Sequence, residues 1–275
     1  MNTDQAYYGR GFKKSISDTH SWRTVDNSSK FITSVLQPNF KVLDVGSGPG
    51  SITLDLAKNY LTKGGSVIGV EPTQELIDTA NKLKESTEPQ LDNVKFQLGS
   101  IYELPFEDNT FDLVHSHQVV IHLQDPIKGL QELARVTKPG GYVAVKDADL
   151  DSIITSPEKY PILKEYYVQK AKNATSTDRK AGRRLREKAI KAGYKPENIS
   201  TSQSYWLLAD DHARKKQWAE LAINRIKNGG EILFPTDAKK NEEMCNEAIA
   251  KWHEWVDDEA SLFSIYHFEI IYKKL

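Results

Sequence analysis

Short apolar runs alternate with segments of helical spacing along the first 150 positions. The apolar runs have the length and β-branched content of buried strands, and they predict strands at residues 41–45, 66–70, 94–98, 111–115 and 142–146. Apolar residues recur every three or four positions between them, which predicts helices at residues 51–60, 73–84 and 126–136. The alternation favours an α/β fold whose doubly wound, mostly parallel sheet is covered by helices on both faces.

The pattern changes after residue 151. Residues 152–182 form a polar, mostly helical stretch, and a helix at 183–192 then precedes a sixth strand at 199–208. Residues 210–260 have helical patterning, and the aromatic, β-branched run 262–272 predicts a final strand. We therefore expect a single domain, residues 1–275. Its core comprises about 36–150, 183–209 and 261–275, and helical cap segments comprise about 1–35, 151–182 and 210–260.

A glycine-rich turn follows the first predicted strand. Residues 42–50 read VLDVGSGPG, with Gly46, Gly48 and Gly50 two positions apart. Glycines here let the backbone approach a ligand, and the next helix offers unpaired N–H groups at its start. The dinucleotide fingerprint G-x-G-x-x-G requires a glycine where this chain has Ser51. The spacing argues against a dehydrogenase and favours another adenosine-bearing ligand.

An acidic residue ends the second predicted strand. Glu71 lies about 20 residues beyond the turn, where a carboxylate accepts hydrogen bonds from two neighbouring ribose hydroxyls. A lone glutamate after a strand is usually solvated. The pairing with the glycine turn at this distance favours the ribose-binding interpretation.

Four segments together resemble the class I S-adenosylmethionine-dependent methyltransferases, and most closely the small-molecule enzymes of ubiquinone and menaquinone biosynthesis. They are VLDVGSGPG, GVEP, GSIYELPFEDNTFDLVHS and LARVTKPGGYVAV, which lie in order within residues 41–147. The resemblance implies S-adenosylmethionine as methyl donor. It also implies a seven-stranded sheet with an antiparallel last strand.

The resemblance also implies donor-binding residues. Asp44, Gly46, Ser47 and Gly48, in the turn that Gly50 closes, are expected to contact the methionine half of the donor. Glu71 is expected to contact the ribose. The adenine is expected beside Pro72, Thr73, Gly99, Ser100 and Ile101. Many relatives have aspartate where this chain has Ser100, so the adenine here depends on backbone and apolar contacts. His117 and Gln118 match the segment that passes under the sulfonium.

The segment before the first core helix carries His20 and Arg23. An arginine fork matches the donor's methionine carboxylate, and a segment so placed in this family often folds over the donor. A solvated N-terminal arm is the alternative. Both interpretations remain open at this point.

Two histidines are candidate catalytic bases. His117 and His122 follow the fourth strand, at the sheet edge where open α/β folds bind ligands, and imidazole suits proton abstraction near pH 7. His122 has apolar neighbours, which also fits a structural role, and His115 is expected in the core. Asp147 and Asp149 follow the fifth strand without a clear third ligand, so we expect no metal.

Composition restricts the acceptor and the compartment. The formal net charge is −1, from 37 basic and 38 acidic residues, and gives no field that favours nucleic acid. The chain has one cysteine, Cys245, no apolar h-region at its start, and no stretch near the roughly 20 apolar residues of a membrane span. We expect a cytoplasmic protein without nucleic-acid or membrane partners.

Aromatic residues concentrate in the segments outside the predicted core. They are Tyr7, Tyr8, Phe12, Trp22, Tyr166, Tyr167, Trp218, Trp252 and Trp255. Ligand sites are lined mainly by apolar and aromatic side chains, so we expect a cap that encloses a small, partly apolar methyl acceptor. The signature Asn/Asp-Pro-Pro-Tyr/Phe, used on planar amino groups, is absent after the fourth strand, which favours oxygen, sulfur or carbon as acceptor atom. The alternatives are an RNA or protein acceptor, or a donor-binding protein without catalysis.

Overall fold

A computed structural model describes residues 20–173, 177–228 and 232–275. Within these ranges, eight strands form one sheet. They are β1 Lys41–Val45, β2 Ser66–Glu71, β3 Val94–Leu98, β4 Phe111–His117, β5 Thr137–Ala148, β6 Ile154–Ser156, β7 Ile199–Leu208 and β8 Leu262–Lys273.

Helices connect and flank the strands. The α-helices are α1 Ser51–Asp55, α2 Gln74–Glu85, α3 Pro126–Val136, α4 Pro161–Asn173, α5 Leu185–Lys191, α6 His212–Asn228 and α7 Ala238–Asp257. A π-helical turn, Leu56–Tyr60, extends α1, so the predicted helix at 51–60 is present with a widened second half. Two short helical segments, Val25–Ser29 and Lys30–Ser34, precede β1.

The sheet is parallel over β3-β2-β1-β4-β5 and becomes antiparallel at β8. The order reverses between β1 and β4, and this switch point is where open α/β sheets bind ligands. Apolar side chains of α3 and α5 form one cluster against the sheet, and those of α1 and the two segments before β1 form another. The predicted doubly wound fold is confirmed.

The strand count differs from the seven expected. Residues 154–156, within a stretch predicted to be mostly helical, form β6 and pair antiparallel with residues 262–264 of β8. β8 also pairs with β5 over residues 267–273 and with β7 over residues 263–272, antiparallel in both cases. A three-residue strand is too short to show periodicity in sequence. Here β6 pairs with the part of β8 that extends beyond the pairing of β8 with β5.

The cap consists of α4, α6 and α7 around a separate apolar cluster. Trp252 and Trp255 are its largest buried side chains, with ring centroids 5.3 Å apart. Trp252 also packs against Phe263 of β8, at 5.6 Å between centroids. The cap therefore rests on the start of the last strand, beside the carboxyl ends of β4 and β5. Among the described helices, none has the length and apolar character needed to cross a membrane.

Candidate functional site

The glycine turn after β1 passes through three left-handed residues. The φ angle is +76° at Gly46, +54° at Gly48 and +85° at Gly50, a region that L side chains rarely adopt. The N–H groups of Gly46 and Ser47 donate to the carbonyl oxygen of Val70, at 2.8 and 3.1 Å. A Cβ at Gly48 would meet no atom within 4 Å. The turn is thus fixed to β2 while one side of its backbone faces open space.

A cavity of about 110 Å³, which we call the turn cavity, lies over this turn. Its walls come from the glycine turn, from the carboxyl ends of β2 and β4, and from residues that precede the short helical segment Val25–Ser29. The lining residues are His20, Arg23, Asp44, Gly46, Ser47, Gly48, Pro49, Ser51, Ile52, Glu71, Pro72, His117, Gln118, Val119, His122 and Leu123. Most of the predicted donor-binding residues are therefore brought together.

Glu71 closes β2 with a buried carboxylate. Its Oε2 accepts a hydrogen bond from the Gly48 N–H at 3.1 Å. Its Oε1 is buried and makes no hydrogen bond of normal geometry with a described residue, although the N–H and hydroxyl groups of Thr73 lie near enough to favour the ionised carboxylate. The hydroxyl of Ser47 is also buried without one. Burial raises the pKa of Glu71 to about 7, although the Gly48 N–H acts in the opposite direction. Buried polar atoms usually have hydrogen-bond partners, so these atoms fit a ligand that bears hydroxyl groups.

Asp44 faces the turn cavity but is also bonded within the protein. Its Oδ1 lies 2.8 Å from Nδ1 of His115, and its Oδ2 accepts from the hydroxyl of Thr53 at 2.6 Å. Nε2 of His115 lies 3.0 Å from the Ser29 hydroxyl, and the ring is fully buried. The expectation that His115 belongs to the core is confirmed. Through its contact with His115, Asp44 links the start of the turn to β4 independently of any ligand.

Arg23 and Gln118 meet at the end of β4. Nη2 of Arg23 donates to Oε1 of Gln118 at 2.6 Å, and its Nη1 lies 3.4 Å from Nδ1 of His117. The Arg23 guanidinium also lies 5.4 Å from the ring centroid of Trp206, and Gln118 Nε2 lies 2.8 Å from His267 Nε2. The interpretation of this segment as a solvated arm is wrong for His20 and Arg23, because both residues line the sheet edge.

A second cavity, of about 140 Å³, lies between the sheet edge and the cap, and we call it the cap cavity. It is lined by His20, Arg23, Gln118, Ile121, His122, Ala148, Leu150, Ile153, Tyr167, Lys170, Ala171, Thr177, Trp206, Trp218, Leu221, Ala222, Arg225, Phe263 and Ile265. Four residues line both cavities: His20, Arg23, Gln118 and His122. The two cavities therefore adjoin at these four side chains.

The candidate bases His117 and His122 are not tuned to pH 7. Burial lowers the pKa of His117 well below its usual range, and the cation of Arg23 acts in the same direction. Burial lowers the pKa of His122 to about 3, with further lowering by Arg225 and Lys170. Both imidazoles are therefore neutral at pH 7 and bind a proton weakly, whereas the sequence led us to expect histidines suited to proton abstraction near pH 7.

Five predicted donor-binding residues line neither cavity within the described part of the chain: Gly50, Thr73, Gly99, Ser100 and Ile101. Gly50 instead packs under β3, where a Cβ would lie 2.7 Å from the Phe96 ring. Thr73 precedes α2 as its N-cap residue. Ile101 is buried in the core beside Gly129. The sequence pattern does not separate residues that line the turn cavity from residues that lie behind it.

The aromatic cap residues have different roles. Tyr167 and Trp218 line the cap cavity, as expected. Trp22 packs edge-on against Trp206 and Trp218, with centroid distances of 5.0 and 6.0 Å. Trp252 and Trp255 lie inside the cap rather than along the cavity. Tyr7, Tyr8 and Phe12 lie outside the described residues.

Lys170 of α4 and Arg225 of α6 also line the cap cavity, and no local sequence pattern predicted either residue. They lie on separate cap helices among other charged residues. Both helices pack against α7, so the tertiary arrangement of the cap is needed to find them. Nη2 of Arg183 donates to the Asp149 carboxylate at 2.9 Å. No group of three His, Cys, Asp or Glu side chains in the described ranges is arranged to hold a metal.

Comparisons with known proteins agree with this geometry. Residues 36–212 match the family model described as a methyltransferase domain. An uncharacterized methyltransferase of Schizosaccharomyces pombe is 44% identical over 277 residues, 99% of this chain and 98% of the relative. A demethylmenaquinone methyltransferase of Staphylococcus aureus is 33% identical over 132 residues, 48% of this chain and 50% of that enzyme.

Solved structures show the same fold. The YcgJ protein of Bacillus subtilis matches with a TM-score of 0.57 at 17% sequence identity, over 90% of this chain and 97% of that one. The glycine turn, the acidic end of β2, the strand order and these matches lead to one conclusion: the chain belongs to the class I S-adenosylmethionine-dependent methyltransferases.

Proposed function

We propose that this enzyme methylates a small, partly apolar molecule at oxygen, sulfur or carbon, with S-adenosylmethionine in the turn cavity and the acceptor in the cap cavity. The observation that carries the proposal is the junction of the two cavities at His20, Arg23, Gln118 and His122. Methyl transfer needs donor and acceptor in line, and alignment is a major source of its rate enhancement. A shared wall of polar side chains is well placed to provide that alignment.

Residues of the turn cavity fit the donor. Glu71 Oε1 and the Ser47 hydroxyl are buried polar atoms without a hydrogen bond of normal geometry to a described residue, and we assign Glu71 to the ribose hydroxyls. We assign Asp44, Gly46, Ser47, Gly48, His20 and Arg23 to the methionine half, and His117 and Gln118 to the region beside the sulfur. Pro72 extends the cavity towards the adenine, Thr73, Gly99, Ser100 and Ile101 frame that end, and Gly50 closes the turn that holds the methionine half. The donor supplies an electrophilic methyl group on a sulfonium.

The chain's own contribution is orientation and exclusion of water. Trp206, which lines the cap cavity, is nearly fully buried, and Arg23 lies against its ring. We propose that His122 contacts the acceptor as a neutral hydrogen-bonding group and that His117 holds Arg23 in place. Neither imidazole needs to change charge in these roles.

The size of the cap cavity favours a small acceptor over RNA or protein. Its volume of about 140 Å³ is close to that of an engineered cavity, about 150 Å³, that binds benzene. We propose that the acceptor is a cytoplasmic metabolite with about one ring, and that residues 1–275 act as one domain with the cap as part of the site.

One experiment separates the alternatives. The protein is incubated with methyl-labelled donor and a cell extract divided into small-molecule, RNA and protein fractions, and label is followed by mass spectrometry. We expect label in small molecules, and its loss with Glu71→Ala. Label confined to RNA or protein, or donor binding without transfer to any fraction, would contradict the proposal.

A further inference from the structure

Gln118 has an unusual backbone conformation at the junction of the two cavities. Its φ angle is +56°, in the left-handed region that residues other than glycine rarely adopt. Its N–H donates to the carbonyl oxygen of Lys146 at 2.7 Å, which ties the residue to β5. Non-glycine residues in this conformation cluster at functional sites and persist only where the surrounding structure holds them. The contacts of the Gln118 side chain therefore show what holds it at the junction.

The guanidinium of Arg23 fixes the direction of the hydrogen bonds around Gln118. A guanidinium has donors and no acceptor, so the Gln118 atom that lies 2.6 Å from Nη2 of Arg23 is the carbonyl oxygen Oε1. The amide nitrogen of Gln118 then lies 2.8 Å from Nε2 of His267. An amide nitrogen donates and does not accept. Nε2 of His267 therefore accepts this hydrogen bond and carries no proton.

His267 of β8 is a neutral ring with its proton on Nδ1. Burial lowers the pKa of His267 well below its usual range, and the cations of Lys146 and Arg23 act in the same direction, although the carbonyl oxygen of Ile265 opposes them. A neutral imidazole has one N–H, and Nε2 is the acceptor, so the proton is on Nδ1. The ring is fully buried and lies against the indole of Trp206, with centroids 4.3 Å apart. Packing therefore holds the acceptor nitrogen in place.

We propose that His267 is a positioning residue for methyl transfer: its unprotonated Nε2 holds the amide of Gln118, and Gln118 holds Arg23 where the two cavities meet. This inference rests on the proposed function, because it assigns the residue that orients the shared wall. His267 is not part of the described lining of either cavity. It acts on the reaction through Gln118, which lines both.

The position of the proton is tested by NMR of the full chain with isotope-labelled histidine. Correlations between the ring protons and the ring nitrogens show which nitrogen is protonated, and the His267 signals are assigned by their loss in His267→Gln. We expect the proton on Nδ1 of His267 at pH 7. A proton on Nε2 in the unsubstituted protein would overturn the inference.

The substitution Gln118→Glu tests the direction of the network. The glutamate carboxylate can still accept from Arg23, but it presents an acceptor oxygen to His267, so we expect a proton on Nε2 of His267 in this variant. Gln203→Glu is the matched control, because it adds the same charge at an exposed residue of β7, the strand paired with β8. It should leave the proton on Nδ1. An unprotonated Nε2 in Gln118→Glu, or the same proton shift in Gln203→Glu, would overturn the inference.

Turnover is tested with methyl-labelled donor and the small-molecule fraction of a cell extract. His267→Met and His267→Gln both remove the ring from Trp206, but only the glutamine offers an acceptor oxygen in place of Nε2. We expect transfer to be about 10-fold slower in His267→Met, the effect of one lost hydrogen bond, and His267→Gln to recover most of the rate.

Denaturant titrations establish that both His267 variants are folded. Equal rates in the two folded variants would overturn the inference and leave the proposed function standing. Absence of transfer to every small molecule by the unsubstituted protein, with the proton of His267 on Nδ1, would overturn the proposed function and with it this role of His267.

Discussion

At the end of β2, burial gives Glu71 a pKa of about 7. Ribose hydroxyls that donate to this carboxylate favour its ionised form and lower its pKa. Donor binding at pH 6–7 should therefore release a fraction of a proton. Calorimetry in two buffers with different ionisation enthalpies measures this release.

Glu71→Gln should abolish the proton release and weaken donor binding by on the order of 1–3 kcal/mol. Glu75→Gln, on the exposed first turn of α2, is the matched control and should retain both properties. A binding heat that is independent of the buffer in the unsubstituted protein would remove Glu71 from the ribose site.

A second buried carboxyl, that of Asp147 in β5, should make the free energy of unfolding depend on pH. Burial raises its pKa to about 8, although the cation of Lys188 acts in the opposite direction. The folded state then binds the proton more tightly than the unfolded state, so the free energy of unfolding should fall as pH rises from about 4 to about 8. Asp147→Asn should flatten this fall in denaturant titrations, whereas the exposed Asp92→Asn should not. An unchanged pH profile in Asp147→Asn would contradict the assignment.

Proximity within the candidate site could be predicted for residues that directly follow adjacent strands. The glycine turn and Glu71 each lie directly after a buried apolar run, so their approach follows from the parallel sheet alone. Lys170 and Arg225 lie more than 50 positions apart in helical cap segments. Their convergence depends on the packing of α4, α6 and the sheet edge, which no local pattern encodes.

Among the elements, the turn between β1 and α1 has little tolerance for substitution. A Cβ at Gly50 would lie 2.7 Å from the Phe96 ring and 2.9 Å from Ala80 Cβ, in addition to its positive φ. Gly50→Ala should destabilise the protein by about 2–5 kcal/mol, the sum of left-handed strain and overpacking. Chemical denaturation measures the difference.

Gly64 is the matched control because its φ is +80° but nothing lies within 4 Å of a Cβ there. Gly64→Ala should cost about 1–2 kcal/mol, from backbone strain alone. Equal costs at the two positions would show that the packing of Gly50 under β3 is not what holds the turn.

Elements with strong patterns were predicted to the residue, as for β1, β3, β7 and α3. Strand ends that depend on pairing with other strands were not predicted to the residue. β5 begins at Thr137 and ends at Ala148, beyond the predicted 142–146, because β4 and β8 pair with it on both sides. β6 was missed because its three residues owe their conformation to β8.

For the whole molecule, the cap and the segment before β1 close the site together. The Ser51 hydroxyl donates to the carbonyl oxygen of His20 at 3.1 Å, and Trp22 packs against Trp206 and Trp218. Removal of residues 1–24 should abolish methyl transfer and weaken donor retention, because closure excludes water and aligns the acceptor.

Removal of residues 1–19 alone leaves His20, Trp22 and Arg23 in place and serves as the control. The difference in transfer rate between the two truncated proteins measures what these residues contribute. Full activity after removal of residues 1–24 would show that the segment is not part of the site.

The central claim is that donor and acceptor occupy two adjoining cavities that meet at one group of side chains. A crystal structure with S-adenosylhomocysteine bound tests it most directly. The account predicts ribose hydroxyls on Glu71 and a sulfur atom beside Gln118 that faces the cap cavity, within the group formed by His20, Arg23 and His122. A nucleoside bound away from Glu71, or a sulfur atom that faces solvent instead of the cap cavity, would contradict it.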